Sequence, residues 1–394
     1  MANRVFTAIG VVLAIIGVSL ALLNVASTGA IVVSEKWVKY YLSEVPVDLT
    51  IHHNSIYVLA LSDSTRVSLY KISFNGDIAW RNSWSTLNES HLTKLIPRST
   101  EISVALINSS RHEVTMFSYS PYGALIGNRS LKLSEVVWAF DVSPYVDGSI
   151  VIVGARYIVG KGLELYASRI NIDDDNTYWS ITWGSEGDDV ALKVVTTSSG
   201  LIYVIGRSSG VEMIATCLDG SGEILWSEAI GVGDVVSAKA LEDDLLILVK
   251  SSGGYRVAKA RSFGAVSTVD YIQVPEGFTP LDLHIVGGYV ALTGYQQSSE
   301  GSINIAATLL YTDKGLNKVI KLNAPSAFTR IESFNNTMYS VGVAESRLIA
   351  IAHSVERSEL DAVQVIASTT VALIGSYIAY REMRGGRPPP SHSV

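Results

Sequence analysis

Hydrophobic and polar positions divide the chain into three regions. Residues 5–25, VFTAIGVVLAIIGVSLALLNV, carry no charge, and residues 360–380, LDAVQVIASTTVALIGSYIAY, carry none after Asp361. As a helix rising about 1.5 Å per residue, either run is roughly 30 Å long, enough to cross the hydrocarbon core of a bilayer. Between them, from Ser34 to Glu359, short apolar or alternating runs are separated by Gly, Ser, Asn and Asp, with no sustained helical period. The pattern predicts an all-β region. Its clearest strands fall at Ser55–Leu61, Val67–Ser73, Ile102–Ile107, Ser149–Gly154, Leu201–Gly206, Leu245–Lys250 and Tyr289–Thr293.

A five-residue unit recurs in this region as Gly76-Asp77-Ile78-Ala79-Trp80, as Gly222-Glu223-Ile224-Leu225-Trp226, and in altered form as Asp175-Asn176-Thr177-Tyr178-Trp179. The first residue suits the positive backbone angle of a tight hairpin, and the aromatic opens a strand that packs on a neighbouring sheet. With weaker counterparts at Gly123, Gly264 and Gly315, the units lie 42 to 52 residues apart. That is the period of four-stranded β-propeller blades. Ser34 to Glu359 then holds seven blades, with six and eight as the bracketing counts.

The run Trp183-Gly184, Asp188-Asp189-Val190-Ala191, Leu201-Ile202-Tyr203-Val204-Ile205-Gly206 and Asp219-Gly220-Ser221-Gly222-Glu223-Ile224-Leu225-Trp226 resembles the quinoprotein-type (PQQ-like) and related extracellular propeller repeats. The resemblance covers one blade well and the others loosely. It implies the fold, and it leaves two uses open: a quinone-dependent dehydrogenase or a non-enzymatic assembly scaffold. An adjacent cysteine pair and a recognisable ligand set, which the dehydrogenase version carries, are lacking.

Charge at the flanks orients the ends. Arg4 precedes the first apolar run; Arg381, Arg384, Arg387 and Pro388 to Pro390 follow the second, and Glu356, Glu359 and Asp361 sit at its other end. The positive-inside rule then places residues 1–4 and the basic, Pro-rich tail 381–394 in the cytoplasm and the propeller, 34–359, outside the cell membrane. Residues 5–25 also fit a cleaved signal peptide ending near Ala26 to Ala30, although their apolar run is longer than the usual signal core. Asn-x-Ser/Thr sequons at Asn88, Asn108, Asn128 and Asn335 all fall in the outside region as glycosylation candidates.

Composition narrows the chemistry. The chain is 48% hydrophobic and 17% charged with a net charge of -7 and no block of like charges, which argues against a nucleic-acid partner. Cys217 is the single cysteine, and the seven histidines show no metal-ligand spacing. Gly206-Arg207-Ser208-Ser209-Gly210 matches the G-x-S-x-G nucleophile elbow in letters, but a strand rather than a helix follows it. Asp173–Asp175 and Asp188–Asp189 lack the alternating spacing of a calcium loop. No catalytic residue, metal or cofactor is nominated.

The last hairpin, around Met338–Val343 and Arg347–His353, lacks an outer strand. Lys36 to Leu42 is a strand without a partner, so it is expected to close the ring with Trp37 near Val355. Both apolar segments then leave from the face of the third-to-fourth-strand hairpins. The opposite face becomes the expected binding surface, with Arg66, Arg156, Lys161, Trp183, Glu186, Asp188, Arg207, Tyr255 and Tyr295 as candidate residues. The expected function is a membrane-anchored interaction or scaffold module whose partners are the bilayer and envelope proteins or glycans. The alternative is a propeller enzyme with a metal or quinone in its central channel.

Overall fold

The computed structural model describes residues 31–357, except 64–65, 86–91, 210–211, 263–271, 298–303 and 313–314. Both apolar segments, residues 5–25 and 360–380, lie outside the described residues. Among the described residues no helix is long and apolar enough to cross a membrane. Residues Ser34–Ser354 form one compact unit. The other unit comprises Met1–Val33 and Val355–Val394, of which only the outer ends of two strands are described.

The chain is a seven-bladed β-propeller. It opens with β1 (Ile31–Tyr40). Blade 1 is β2 (Val45–His52), β3 (Ser55–Asp63), β4 (Arg66–Ile72) and β5 (Ile78–Ser85), and blade 2 is β6 (Leu92–Pro97), β7 (Ile102–Asn108), β8 (Glu113–Tyr119) and β9 (Leu125–Lys132). Blade 3 is β10 (Val137–Pro144), β11 (Ile150–Ile158), β12 (Gly162–Ile170) and β13 (Thr177–Trp183). Blade 4 is β14 (Val190–Thr196), β15 (Ile202–Ser208), β16 (Glu212–Leu218) and β17 (Ile224–Val232). Blade 5 is β18 (Asp234–Leu241), β19 (Asp244–Ser251), β20 (Gly254–Ala260) and the short β21 (Ile272–Gln273). Then come β22 (Phe278–Val286), β23 (Tyr289–Gln297), β24 (Asn304–Thr312), β25 (Gly315–Phe334), β26 (Thr337–Ala344) and β27 (Arg347–Arg357).

These last six strands and β1 form one sheet in the order β1-β27-β26-β25-β24-β23-β22. The reason is β25, twenty residues long, which serves two blades. Its first half pairs with β24 up to Pro325 as the outer strand of blade 6, and from Ser326 it pairs with β26 as the inner strand of blade 7. β1 supplies the outer strand of blade 7, as the partnerless N-terminal strand required. The Tyr41 N–H donates to Leu348 O at 2.8 Å and the Leu348 N–H to Leu42 O at 2.9 Å. Counting back along this antiparallel ladder puts Trp37 opposite Ala352, three residues short of the expected register.

The recurring turn unit has a packing role that crosses blades. The Trp37 indole N–H donates to Phe74 O at 2.7 Å, Trp80 to Pro121 O at 3.0 Å and Trp179 to Gly220 O at 2.9 Å. In each case the outer-strand tryptophan of one blade lies under the glycine turn of the next. A Cβ on Gly222 would sit 2.7 Å from Trp179 Cδ2, and one on Gly123 would sit 2.9 Å from Trp80 Cδ2. The glycines are therefore fixed by close approach as well as by φ of +87° and +86°. Trp37 is the same clasp made by β1 on Gly76, so blade 7 locks to blade 1 as the interior blades lock to one another. Trp226 likewise packs inward, 6.0 Å from Tyr203. Clusters of Val, Ile, Leu and Tyr fill the spaces between consecutive blades, as in the blade 3–4 cluster of Val151, Val153, Leu165, Val194 and Val204.

Candidate functional site

Charged side chains stand in the middle of apolar inner strands. Ladders between first and second strands shift register at Pro46/Asp48, Ala139/Asp141, Ala191/Lys193, Val235/Ser237, Pro280/Asp282 and Phe328/Arg330. A β-bulge adds one residue and re-aims the side chain that follows. Only β6 lacks one, and it offers Lys94. At four of these bulges the second strand carries a glycine. A Cβ on Gly154 would lie 1.8 Å from Trp138 O, on Gly294 2.0 Å from Thr279 O, on Gly342 2.1 Å from Ala327 O, and on Gly206 2.7 Å from Val190 O.

The bulges converge on a central cavity of about 110 Å³ lined by Asp48, Lys94, Asp141, Lys193, Ser237, Lys239, Asp282 and Arg330, with Val47, Val194, Val195, Val236, Ala238 and Leu281 between them. Going round the ring from blade 1 to blade 7, the six positions that follow a bulge, with Lys94 of the bulge-free blade 2 in its place, read Asp, Lys, Asp, Lys, Ser, Asp, Arg. The carboxylates brace neighbouring blades. Asp48 accepts from the N–H groups of Leu49 (3.0 Å) and Leu95 (2.7 Å), Asp141 from Lys94 Nζ (2.8 Å) and Val194 N–H (3.0 Å), and Asp282 from Ser237 Oγ (2.5 Å) and Ile331 N–H (3.1 Å). All six carboxylate oxygens are thus engaged by the protein itself.

One layer nearer the turns between first and second strands, Lys239 Nζ meets Glu332 Oε1 at 2.5 Å and His284 Nε2 lies 3.6 Å from Glu332 Oε2. Burial works against the charged form of Lys239, yet Glu332 and Asp282 lift its ammonium above the ordinary lysine value. Asp48 keeps some surface open to the channel but sits deep in the ring, and desolvation pushes its carboxyl up against the opposing pull of Arg330. Desolvation also holds the Lys193 ammonium below its usual value; Asp141 opposes this, and Lys94 and Arg330 add to it.

The channel does not fit a resident cation. Its carboxylate oxygens are already hydrogen-bonded, and four cationic side chains share the lining. No aromatic ring lines it for a flat quinone to stack on. Among the described residues no group of three or more His, Cys, Asp or Glu gathers as a metal site.

The loop-face candidates lie at the opposite ends of the second and third strands and in the links between blades. Arg66 and Arg156 are exposed at the ends of β4 and β11. Lys161 sits 3.7 Å from Glu164, and Asp188 Oδ1 accepts from the Leu163 N–H at 2.9 Å. Glu186 O accepts from Ser209 Oγ at 3.0 Å, and Arg207 pairs with Asp234 on the next blade. Asp189, fully buried beside these candidates, accepts from the N–H groups of Ser185 and Ser209 and so ties the blade 3–4 link to blade 4. Trp183 packs against the blade 3–4 cluster and donates its N–H to Thr216 Oγ1 at 3.1 Å. Tyr255 and Tyr295 are half-buried in β20 and β23, and Lys250 Nζ lies 5.9 Å from the Tyr255 ring. These residues sit on blades 1, 3, 4, 5 and 6, with six of the nine on blades 3 and 4 and the link between them.

Of the sequons, Asn88 lies outside the described residues. Asn108 is buried and its side chain accepts from Arg111 N–H and Ser110 Oγ, Asn128 is exposed on β9, and Asn335 is exposed in the β25–β26 turn at φ +46°. The Gly206–Gly210 stretch begins a strand-to-strand hairpin between β15 and β16, not a strand-to-helix elbow.

No protein-family model matches the chain, and no curated protein matches it by sequence. Among solved structures it is similar to the crystal structure of a puromycin hydrolase mutant complexed with PGG, at 10% identity and a TM-score of 0.54. The match covers 76% of this chain and 50% of that one, so the chain spans about half the length of the structure it matches. At that identity the likeness establishes the propeller fold alone. It agrees with the fold half of the quinoprotein-type resemblance, and nothing in it is specific to quinoproteins.

The channel charges were missed in the sequence, though a signal was present. Asp48, Lys94, Asp141, Lys193, Ser237, Asp282 and Arg330 recur every 44 to 52 residues, flanked by apolar positions except for Thr93 before Lys94 and Thr329 before Arg330.

Proposed function

We propose that the chain is a membrane-anchored propeller that works as a non-enzymatic interaction module, holding its second-to-third-strand loop face outward to bind envelope proteins or glycans. One observation carries this reading: β1 and β27 are the paired outer strands of blade 7. The chain therefore enters and leaves the ring by one blade, on the face of the third-to-fourth-strand turns. Residues 5–25 and 360–380 are the apolar segments adjoining those two strands, and two spans leaving together turn the opposite face away from the bilayer. Exposed charges at Arg66 and Arg156 on strand ends and at Lys161 in a turn suit recognition of polar partners on that face. The enzymatic reading, with a metal or quinone in the channel, is disfavoured by carboxylates whose oxygens are all engaged and by a described lining without an aromatic ring.

Thiol labelling tests the topology. Cys217 is fully buried and silent. A membrane-impermeant maleimide applied to intact cells should label Lys161→Cys and should reach His392→Cys only after lysis. Labelling of both before lysis, or recovery of the chain in the soluble fraction without detergent, overturns the reading.

A further inference from the structure

The geometry points to the central channel as a binding site for a small oxyanion, of the carboxylate or phosphate class, clamped between Lys193 and Arg330. The other charges of the channel are already spoken for. Lys94 is paired with Asp141 and Lys239 with Glu332, and Asp48 and Asp282 brace backbone N–H groups of neighbouring blades. Two cations are left over. Among the described residues Lys193 makes no hydrogen bond or ion pair, and Arg330 donates only to the carbonyl of Thr329, at 2.7 Å. They stand on blades 4 and 7, three blades apart in a ring of seven, and both line the cavity.

Asp141 attracts Lys193 and Asp48 attracts Arg330, but neither carboxylate forms an ion pair with its cation, and an anion between the two cations supplies the missing acceptors. A guanidinium and an ammonium are the donors that recognise oxyanions, the first through two parallel N–H groups. The volume is adequate: liquid water occupies roughly 30 Å³ per molecule, so the cavity has room for an anion of a few heavy atoms with ordered water. The Ser237 hydroxyl is turned to Asp282, and the remaining lining is Val, Ala and Leu. Selectivity therefore rests on the two cations.

Isothermal titration of the purified full chain with inorganic phosphate and, separately, succinate, against chloride at matched ionic strength, tests the site. Saturable binding of either oxyanion is expected, and the one that binds identifies the source class. Lys193→Met and Arg330→Met should each weaken it about tenfold or more, since each removes a charge-assisted contact, while Lys132→Met, exposed on the outer strand β9, should leave it unchanged. Absence of saturable heat with both oxyanions, or unaltered affinity in Arg330→Met, overturns the proposal. If either methionine variant fails to fold, the wild-type melting temperature decides: it should rise with phosphate or succinate and not with chloride, and no rise overturns the site.

Discussion

Gly154→Ala isolates the device that aims charges into the channel. An added Cβ would lie 1.8 Å from Trp138 O, whereas ordinary van der Waals contact begins near 3.4 Å, so β10 and β11 must part by about 1.6 Å. The obstacle is backbone and cannot rotate away. Overpacking of a dense interior costs about 1–3 kcal/mol. The bulge next to Trp138 also sets Asp141, whose bonds to Lys94 and Val194 N–H would stretch or break, adding about 1.5–3 kcal/mol for contacts to a charged group. A loss of about 2.5–6 kcal/mol follows from the two effects. Gly148→Ala is the control: its φ of +87° carries the left-handed penalty of about 1–2 kcal/mol, but nothing lies within 4 Å of the new carbon. Equilibrium urea unfolding of both variants, read by tryptophan fluorescence, compares them. If Gly154→Ala is no less stable than Gly148→Ala, the close approach of the bulged strand is not what fixes glycine there.

Two further outcomes concern acid stability and the closing blade. Burial pushes the His353 imidazole down to about 4 from an ordinary 6.5, so the unfolded chain takes up a proton before the folded one. Stability is fully present above pH 6.5 and falls as pH drops toward 4, by about 3 kcal/mol from this group; His353→Leu should flatten that part of the stability–pH curve. Glu44, buried in the β1–β2 link, is penalised by burial, but bonds from Tyr70, Ser62, Ser68 and Arg81 more than offset this and hold its carboxyl below the usual range. Its contribution is present above the ordinary carboxylate pKa and is lost only as pH falls through the lowered folded value. Glu44→Gln should destabilise the chain by about 2–4 kcal/mol, and a melting temperature within a degree of wild type would contradict the role given to this network.

The turns were legible in the sequence because turn chemistry is local. Gly76, Gly123 and Gly222 announce positive φ, and the aromatic four residues after Gly76 and Gly222 marks the next strand. From the period of these turns follow the blade count and the missing outer strand. Trp37 read only as part of a strand without a partner, because its glycine, Gly76, belongs to a different blade and precedes a different tryptophan. The channel was not legible for a related reason. A strict two-residue alternation assigns Asp141 and Asp282 to whichever face their neighbours take, and a bulge reverses that phase without a mark of its own beyond a glycine on the adjacent strand. The junction of blades 6 and 7 was hidden as well, since β25 runs through it with only Pro325 at the change of partner.

The β1–β27 pair also sets how the ring responds to force. The two strands are antiparallel, with the start of one beside the end of the other, so tension applied through the chain termini peels their hydrogen bonds one after another, as a zip opens, and does not load them together in shear. β27 stays covalently continuous with β26 and, through β25, with the preceding blade. The first mechanical event is therefore the release of a single strand and its tryptophan from Gly76, leaving six blades intact and one edge exposed.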